Sequence, residues 1–355
     1  MSKLAFITDT HWGNRSDNVV FLDYAKKFLN ECFFPYIDEH NIKRIVHGGD
    51  LVERRKYINI NTASRLRRDF LNPINEREID MDIIAGNHDV FYKDTNYVNA
   101  LDELVSGSFP RFKVHIRPTE IEIDNTKIIL LPWINQENRK RTFNLIKKTK
   151  AQICFGHLDL TGFEMHRGVI QRDGEDPELF GKFDVVLTGH YHHKSNRGNI
   201  HYLGSPMQFD WHDYNDPKGF HIFDTDTREI DFIENPLVIF KKIWYNDHDK
   251  TMDEVVYDFN FDSYAGCFVK LIIEEKTNPY WFDIFVENLE AVGVSDLQIV
   301  EDHMNFDMMA DEDIVSETED TFTIFKKTIE QMDNVDKEGL VGIISEIYQE
   351  ALSME

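Results

Sequence analysis

Cysteine is scarce in this sequence, and long apolar runs are absent. The three cysteines, Cys32, Cys154 and Cys267, stand far apart among 355 residues, which argues against a disulfide framework and favours a reducing compartment. No run of eighteen apolar residues occurs, so no membrane-spanning helix is expected. The apolar stretch near Met1 is too short for a signal peptide. We therefore expect a cytoplasmic protein without a membrane partner.

Basic residues are also few, because 39 lysines and arginines stand against 64 acidic residues and leave a formal net charge of −25. Such acidity is unusual for a protein that binds nucleic acid, where lysine and arginine neutralise phosphates. The imbalance is concentrated in the last third. Residues 241–355 hold 28 acidic and 8 basic residues, whereas residues 1–240 hold 36 and 31. The charge therefore does not exclude a nucleic-acid substrate for the first 240 residues.

The first 240 residues alternate short apolar runs with longer helical patterns. Leu4–Thr8, Arg44–His47 and Met81–Ala85 are typical of strands, and Val19–Glu39 and Ile60–Leu71 have helical spacing. This order predicts βαβ units in an α/β fold with a mainly parallel sheet. Hairpin-like strands are predicted next, over Lys113–Ile116, Glu120–Ile123 and Lys127–Leu131, with a turn at Asp124-Asn125. Five further strands are predicted over Gln152–Phe155, Asp184–Leu187, Ile200–Leu203, Gly219–Phe223 and Glu229–Ile233. A sandwich of two mixed sheets with helices outside accommodates them.

The character of the chain changes after Pro236. A strand at Phe268–Ile273, a helix at Tyr280–Ala291 and a strand at Asp296–Val300 predict a small α+β unit. Residues 302–320 are acidic and rich in methionine, which is typical of a linker, and two short helices are predicted after them. We expect three parts: residues 1–240, an α+β unit over 241–315 and a helical segment over 316–355.

Five short polar motifs stand at or just after predicted strand ends, where α/β folds expose functional side chains. Aspartate, asparagine and histidine dominate them, and glycines allow close backbone approach. The motifs are Asp9-Thr10-His11, Gly48-Gly49-Asp50, Gly86-Asn87-His88-Asp89, Gly156-His157 and Gly189-His190-Tyr191-His192. A donor set of carboxylates, an amide and imidazoles without thiolate favours Mn²⁺, Fe²⁺ or Zn²⁺ over Mg²⁺. Two such ions about 3.5–4 Å apart would activate a phosphodiester and a water nucleophile.

With these motifs in this order, the chain resembles the calcineurin-like metallophosphoesterase superfamily, and within it the SbcD-type nucleases of double-strand-break repair, including those of tailed phages. The segment Tyr202–Met207 extends the likeness through its Gly-Ser-Pro loop. The resemblance implies a four-layer α/β/β/α sandwich with a small α+β capping domain and C-terminal helices. It further implies that Asp9, His11 and His192 hold one ion, that Asn87, His157 and His190 hold the other, and that Asp50 bridges them.

The same resemblance implies a role for the remaining residues of the third motif. His88 would donate a proton or stabilise the transition state, and Asp89 would orient it. Two Mn²⁺ ions would be the cofactor, with Mg²⁺, Fe²⁺ or Zn²⁺ as alternatives. The position three residues after the bridging aspartate is often histidine in archaeal and eukaryotic relatives, whereas this sequence has Glu53. The role of Glu53 is left open.

The function implied is that of a DNA nuclease, an exonuclease on duplex ends and an endonuclease on single strands, acting in recombination, repair and replication. Its partners would be DNA, a second copy of the chain and an SbcC-type SMC-like ATPase bound through the C-terminal helices. Alternatives are a phosphoprotein phosphatase or cyclic-nucleotide phosphodiesterase on the same site, or a non-catalytic scaffold. The phosphatases carry Asp-Arg-Gly where this chain has Leu51-Val52-Glu53, and a scaffold would show eroded ligands.

Two surfaces are predicted to bind partners. Arg54, Arg55 and Lys56 flank the second motif and would hold DNA phosphates, with Tyr191 as a further contact. The alternative to DNA binding is that these charged side chains are simply solvated. Near the C-terminus, Leu340, Ile344, Ile347, Tyr348 and Ala351 repeat at helical spacing. That apolar stripe would dock on the ATPase, or pack against its own domain.

Overall fold

Two six-stranded sheets dominate the computed structural model, which describes residues 3–301 and the single position 340. In the first sheet the strand order is β14-β13-β1-β2-β3-β4. Strands β1 to β4 are parallel, and β13 and β14 join antiparallel at one edge. The strands of this sheet are β1 Lys3–Ile7, β2 Arg44–His47, β3 Asp80–Ile84, β4 Phe112–His115, β13 Gly219–Asp224 and β14 Ile230–Glu234.

The second sheet has the order β11-β12-β10-β7-β6-β5. Its central strands β6, β7, β10 and β12 are parallel, and β5 and β11 are antiparallel edge strands. The predicted turn at Asp124-Asn125 is confirmed, because both residues have positive φ and connect β5 to β6. The strands are β5 Thr119–Ile123, β6 Thr126–Leu131, β7 Ile153–His157, β10 Val185–Gly189, β11 Ser195–Arg197 and β12 Ile200–Tyr202.

Helices cover the outer faces of both sheets. The helical stretches predicted from Val19 and from Ile60 each contain a π-helical turn, at Leu29–Phe33 and Arg67–Leu71. A proline at N1 or N2 of the following helix explains the change, because proline donates no backbone hydrogen bond. The α-helices are α2 Val19–Phe28, α3 Phe34–Glu39, α4 Ile60–Leu66, α5 Asn72–Glu76, α6 Ala100–Leu104, α7 Arg139–Lys148 and α8 Pro279–Ala291, and the short segment α1 Asn14–Asp17 is a turn in which Arg15, Ser16 and Asp17 have positive φ.

Three buried clusters establish the four-layer arrangement that was predicted. Alternate residues of each strand face opposite sides of a sheet, so Ala5 and Ile7 of β1 pack on the helices, whereas Leu4 and Phe6 pack between the sheets. The central cluster joins β1, β2 and β3 to β6, β7 and β10, with Phe6 edge-on to Phe155. A third cluster lies between the outer face of the second sheet and α7. The α/β/β/α sandwich is therefore confirmed.

Beyond the sandwich, three parallel strands form a smaller sheet in the order β15-β16-β17. Helix α8 packs on it through Phe282, Phe285 and Leu289. These strands are β15 Phe240–Asn246, β16 Phe268–Glu275 and β17 Asp296–Val300, and β8 Glu164–His166 with β9 Val169–Ile170 makes a separate hairpin. The boundaries 1–240, 241–315 and 316–355 stay predictions, since the predicted linker and C-terminal helices lie outside the described residues apart from position 340.

Two parts of the sequence-based assignment were wrong. The runs from Lys113 to Leu131 are not one hairpin series, because β4 pairs in parallel with β3 in the first sheet and the chain then crosses to β5 in the second. Strand β15 and helix α7 were not predicted; seven of the ten α7 residues are charged or polar, which hides the helical period. Within residues 3–301 and position 340, no helix combines the length and apolar character needed to cross a membrane.

Candidate metal centre

The five motifs meet at one edge of the sandwich. Because β1, β2 and β3 are parallel, as are β7 and β10, the loops that follow them emerge at the carboxyl ends of their sheets. Backbone hydrogen bonds join the first two loops, with Asp9 N donating to Gly49 O at 2.9 Å. The fifth loop is joined to the first because His190 N donates to the Asp9 carboxylate at 3.1 Å. Each sheet thus contributes side chains to a single site.

A first group of donors consists of Asp9, His11 and His192, whose candidate ligand atoms lie within 4.8 Å of one another. The two imidazoles approach through their Nε2 atoms, which are 3.0 Å apart. His11 Nε2 is also 3.9 Å from an oxygen of Asp9. These three residues are those that the family resemblance assigned to one ion.

A second group consists of Asp50, His157 and His190. The amide oxygen of Asn87 joins it, at 2.9 Å from both His157 Nε2 and His190 Nδ1. His157 Nδ1 donates to the backbone oxygen of Gly48 at 3.0 Å, which directs Nε2 toward the other donors. The four residues include all three that were predicted to hold the other ion.

Asp50 lies between the two groups. One of its oxygens is 3.2 Å from His157 Nε2 and 3.8 Å from His11 Nε2, so it faces a histidine of each group. Its other oxygen accepts a hydrogen bond from the backbone of His88 at 2.8 Å. This position suits the bridging role that the sequence assigned to Asp50.

The electrostatics of the cluster call for positive charge among its donors. Burial opposes protonation of His157, yet the Asp50 carboxylate outweighs it and raises the pKa of the imidazole. Burial likewise opposes protonation of His11, and Glu53 overrides it to give a pKa of about 9. Burial would also raise the pKa of Asp50, but the charges of His157 and His88 hold it well below its usual range. Divalent cations can take the place of these protons among the donor atoms, and cation binding would then release protons.

Four of the predicted ligands have backbone conformations that side chains rarely adopt. The φ angles are +54° at Asp9, +43° at His11, +53° at Asp50 and +97° at His190. Each such residue costs on the order of 1–3 kcal/mol, and strain of this kind concentrates at functional sites. The backbone at these four positions is therefore held in place by its surroundings, and it aims their side chains at a common point.

Glycines are required where the loops touch. An added Cβ on Gly86 would lie 2.1 Å from an oxygen of Asp50, and one on Gly49 would lie 2.4 Å from His157 Nδ1. Both separations are far shorter than any van der Waals contact. The glycines in the second and third motifs thus allow Asp50 and His157 to reach the cluster.

The contacts of Asp89 do not match its predicted role of orienting the His88 ring. Its buried carboxylate accepts four backbone hydrogen bonds at 2.9–3.2 Å, from the amides of Asp50, Leu51, Val52 and Gly86. The His88 ring instead donates from Nδ1 to the carbonyl of Glu53 at 2.5 Å. Asp89 therefore holds the second and third loops together, and a direct catalytic role for it stays a prediction.

The structure argues against one predicted DNA contact. Tyr191 is only 2% exposed, its ring stacks on Tyr202, and its hydroxyl donates to Asp159 at 2.6 Å. Tyr191 belongs to the buried cluster on the outer face of the second sheet, whereas His190 and His192 contribute to the metal centre. Arg54 and Arg55 are half-buried and Lys56 is exposed, and Arg54 forms an ion pair with Asp17 at 2.9 Å. The three basic residues remain predicted DNA contacts.

Sequence reasoning missed the residues that support the first group. Lys218 is buried and donates from Nζ to the backbone oxygen of His192 at 2.7 Å, while Asp213 and Asp216 balance its charge. The ring of Phe209 packs edge-on against both His11 and His192. No motif marks these residues, because an isolated lysine or phenylalanine acquires its role only through the fold.

Comparison with known proteins agrees with this geometry. A family model described as calcineurin-like phosphoesterase matches residues 2–194, more than half of the chain, and the chain therefore belongs to that family. The chain is 28% identical to Exonuclease subunit 1 of Enterobacteria phage T4, over 98% of this chain and 99% of that protein. It is also similar to the SbcD component of the nuclease SbcCD from Staphylococcus epidermidis (24% identical) and from Staphylococcus saprophyticus (28%), in each case over 64% of this chain and 67% of the relative.

The close approach at Gly86 yields a test of the metal centre. We expect Gly86→Ala to displace Asp50 and weaken Mn²⁺ binding by about 10–100-fold, the range typical when the support of a metal ligand is disturbed. Gly181→Ala is the matched control, because its Cβ would meet nothing closer than 3.4 Å and its φ is −63°. Isothermal titration of Mn²⁺ into both proteins gives the answer, and wild-type affinity in the Gly86 variant would contradict the assignment.

Proposed function

We propose that this protein is a two-metal DNA nuclease that cuts phosphodiester bonds at the Asp50 centre. The observation that carries the proposal is the convergence of all seven predicted ligands, with His88, on one edge of the sandwich. Membership of the calcineurin-like phosphoesterase family supports metal-dependent hydrolysis of a phosphate ester. The similarity over nearly the whole chain to a phage exonuclease subunit supports DNA as the substrate.

Different residues of the site have different parts in the proposed reaction. A pair of divalent ions supplies Lewis-acid activation of the phosphate and a more acidic water. Asp9, His11, Asp50, Asn87, His157, His190 and His192 hold the ions. His88 is half-buried, whereas Gly86, Asn87 and Asp89 around it are buried, so among these four it is the one that substrate can reach. Because its Nδ1 is engaged by Glu53 O, its Nε2 is the nitrogen that exchanges a proton with the leaving oxygen.

Mn²⁺ is the proposed ion at both positions. Imidazole nitrogens outnumber carboxylates in the cluster, and this mixture suits Mn²⁺, Fe²⁺ or Zn²⁺ better than Mg²⁺, which prefers oxygen donors. No thiolate lies in either donor group, so nothing selects for a softer ion. The cytoplasm is the proposed location of the protein.

Within this function we assign exonuclease activity to duplex ends and endonuclease activity to single strands. We also propose a homodimer and an SbcC-type ATPase partner, and the latter is supported by the likeness to one component of an SbcCD nuclease. The ATPase would dock on the predicted C-terminal helices, which lie outside the described residues except for Leu340. A phosphatase or a scaffold receives no support from a particular contact in the site.

Cleavage assays on matched substrates test the nuclease assignment. With Mn²⁺, we expect hydrolysis of linear duplex DNA to exceed that of a phosphopeptide, and to disappear with EDTA or with Asp50→Asn. His88→Asn should lower the DNA rate by about 10²–10⁴-fold, the usual contribution of a general acid, while Mn²⁺ binding is kept. His40→Asn, at the exposed end of α3, is the control. Faster cleavage of the phosphopeptide, or an unchanged rate in His88→Asn, would refute the proposal.

The basic residues after the second motif supply a second test. We expect Arg54→Gln, Arg55→Gln and Lys56→Gln together to weaken DNA binding and to flatten its salt dependence by up to about 0.9 per lost phosphate contact. Fluorescence anisotropy in a His88→Asn background at several salt concentrations measures both quantities. Lys147→Gln with Lys148→Gln is the control, because the end of α7 precedes the start of β7 and lies at the opposite edge from the metal centre. Equal effects of the two sets would exclude the assigned surface.

A further inference from the structure

Glu53 is fixed in place by the pairing of two loops. Trp12 N donates to Leu51 O at 2.9 Å, and Glu53 N donates to Trp12 O at 3.1 Å, so the segments after the first and second motifs run side by side. Both Trp12 and Val52 are buried in the helix-side core. The backbone of Glu53 is therefore anchored within three residues of the central ligand Asp50.

The side chain of Glu53 faces His11 from behind. Its Oε2 lies 2.7 Å from His11 Nδ1, and the two side chains are 16% and 1% exposed. A carboxylate on the rear nitrogen of a metal-binding histidine fixes the tautomer and the direction of the ring. While Nδ1 faces the Glu53 carboxylate, His11 Nε2 is the nitrogen that lies 3.0 Å from His192 Nε2 and 3.8 Å from Asp50.

The main chain of Glu53 faces the other functional histidine. Its carbonyl oxygen accepts a hydrogen bond from His88 Nδ1 at 2.5 Å, and the rings of His11 and His88 stand edge to face with centroids 4.9 Å apart. A single residue thus orients one histidine through its carboxylate and the other through its peptide group. A substitution at this position removes the first contact and leaves the second.

We propose that Glu53 is a positioning residue that aims His11 at the first ion through its side chain and His88 at the substrate through its carbonyl. The inference rests on the metal centre of the proposed function. It assigns the carboxylate to metal affinity at the group of Asp9, His11 and His192 alone. Binding at the group of Asn87, His157 and His190, and proton transfer by His88, do not depend on that carboxylate.

One rival arrangement has to be separated from this one. Candidate ligand atoms of His11, Glu53 and His88 also lie within 4.8 Å of one another, so Glu53 could bind an ion directly. A direct ligand in that group would add a third bound ion, whereas an orienting acceptor leaves the number of bound ions at two. The number of bound Mn²⁺ ions therefore discriminates between the two roles, and glutamine, which keeps an oxygen opposite His11 Nδ1, tests whether that oxygen is enough to orient the ring.

Mn²⁺ titration of the full-length protein tests the proposal, with free Mn²⁺ counted by electron paramagnetic resonance. We expect two bound ions in the wild type, an affinity about 10–100-fold lower for one of them in Glu53→Ala, and partial recovery in Glu53→Gln. The control is Glu175→Ala, a half-buried glutamate paired with Arg139 outside the cluster. Thermal melting of the metal-free proteins shows whether each variant is folded, and Glu53→Gln carries the test if the alanine variant is not.

Four outcomes would overturn the inference: wild-type affinities in both Glu53 variants, equal loss at both ions, a third bound ion that either variant removes, or glutamine no better than alanine. At Mn²⁺ concentrations below saturation, the rate losses of Glu53→Ala and His88→Asn on bis-p-nitrophenyl phosphate should multiply, because lower metal occupancy and loss of the proton donor are separate effects. Failure of the wild type to cut DNA would count against the nuclease proposal only, since the titration involves no DNA.

Discussion

The rest of this structure depends on one constraint, which is that a buried cluster of carboxylate, amide and imidazole ligands has to be held together. Cations bound among these ligands would balance their negative charge and lone pairs. Asp50 stands at its centre, with an oxygen turned toward His157 and His11. Neither sheet could form the cluster alone, because β1, β2 and β3 bring three of the loops and β7 and β10 bring the other two. The sandwich is thus the device that brings ligands from distant parts of the chain to one edge.

The surroundings offset the strain and repulsion that this arrangement creates. Positive φ angles at four ligands and a carboxylate hidden from water are unfavourable on their own. Asp89 compensates by accepting four backbone hydrogen bonds from the two loops around Asp50. Lys218 fixes the fifth loop by donating a hydrogen bond to the backbone oxygen of His192. These supporting contacts fix the ligand side chains and loops in position around the site.

The sequence predicted the fold class, the sandwich and most strands because alternating apolar residues and motif positions are local signals. The ligand set was implied by the family resemblance that the five motifs carry, and the structure brings these residues together at one edge of the sandwich. Contacts between loops have no local signal, so the tasks of Glu53 and Asp89 could not be predicted. The burial of Tyr191 was missed because its neighbours His190 and His192 made the whole motif look exposed. The pairing of strand β4 was predicted wrongly because the residues of a strand do not reveal which other strand it pairs with.

The most direct measurement for the central claim is anomalous diffraction at the manganese edge from crystals of the wild-type protein grown with Mn²⁺. The account predicts two peaks, one beside Asp9, His11 and His192 and one beside Asn87, His157 and His190, with Asp50 between them. A single peak, or none within bonding distance of Asp50, would contradict it.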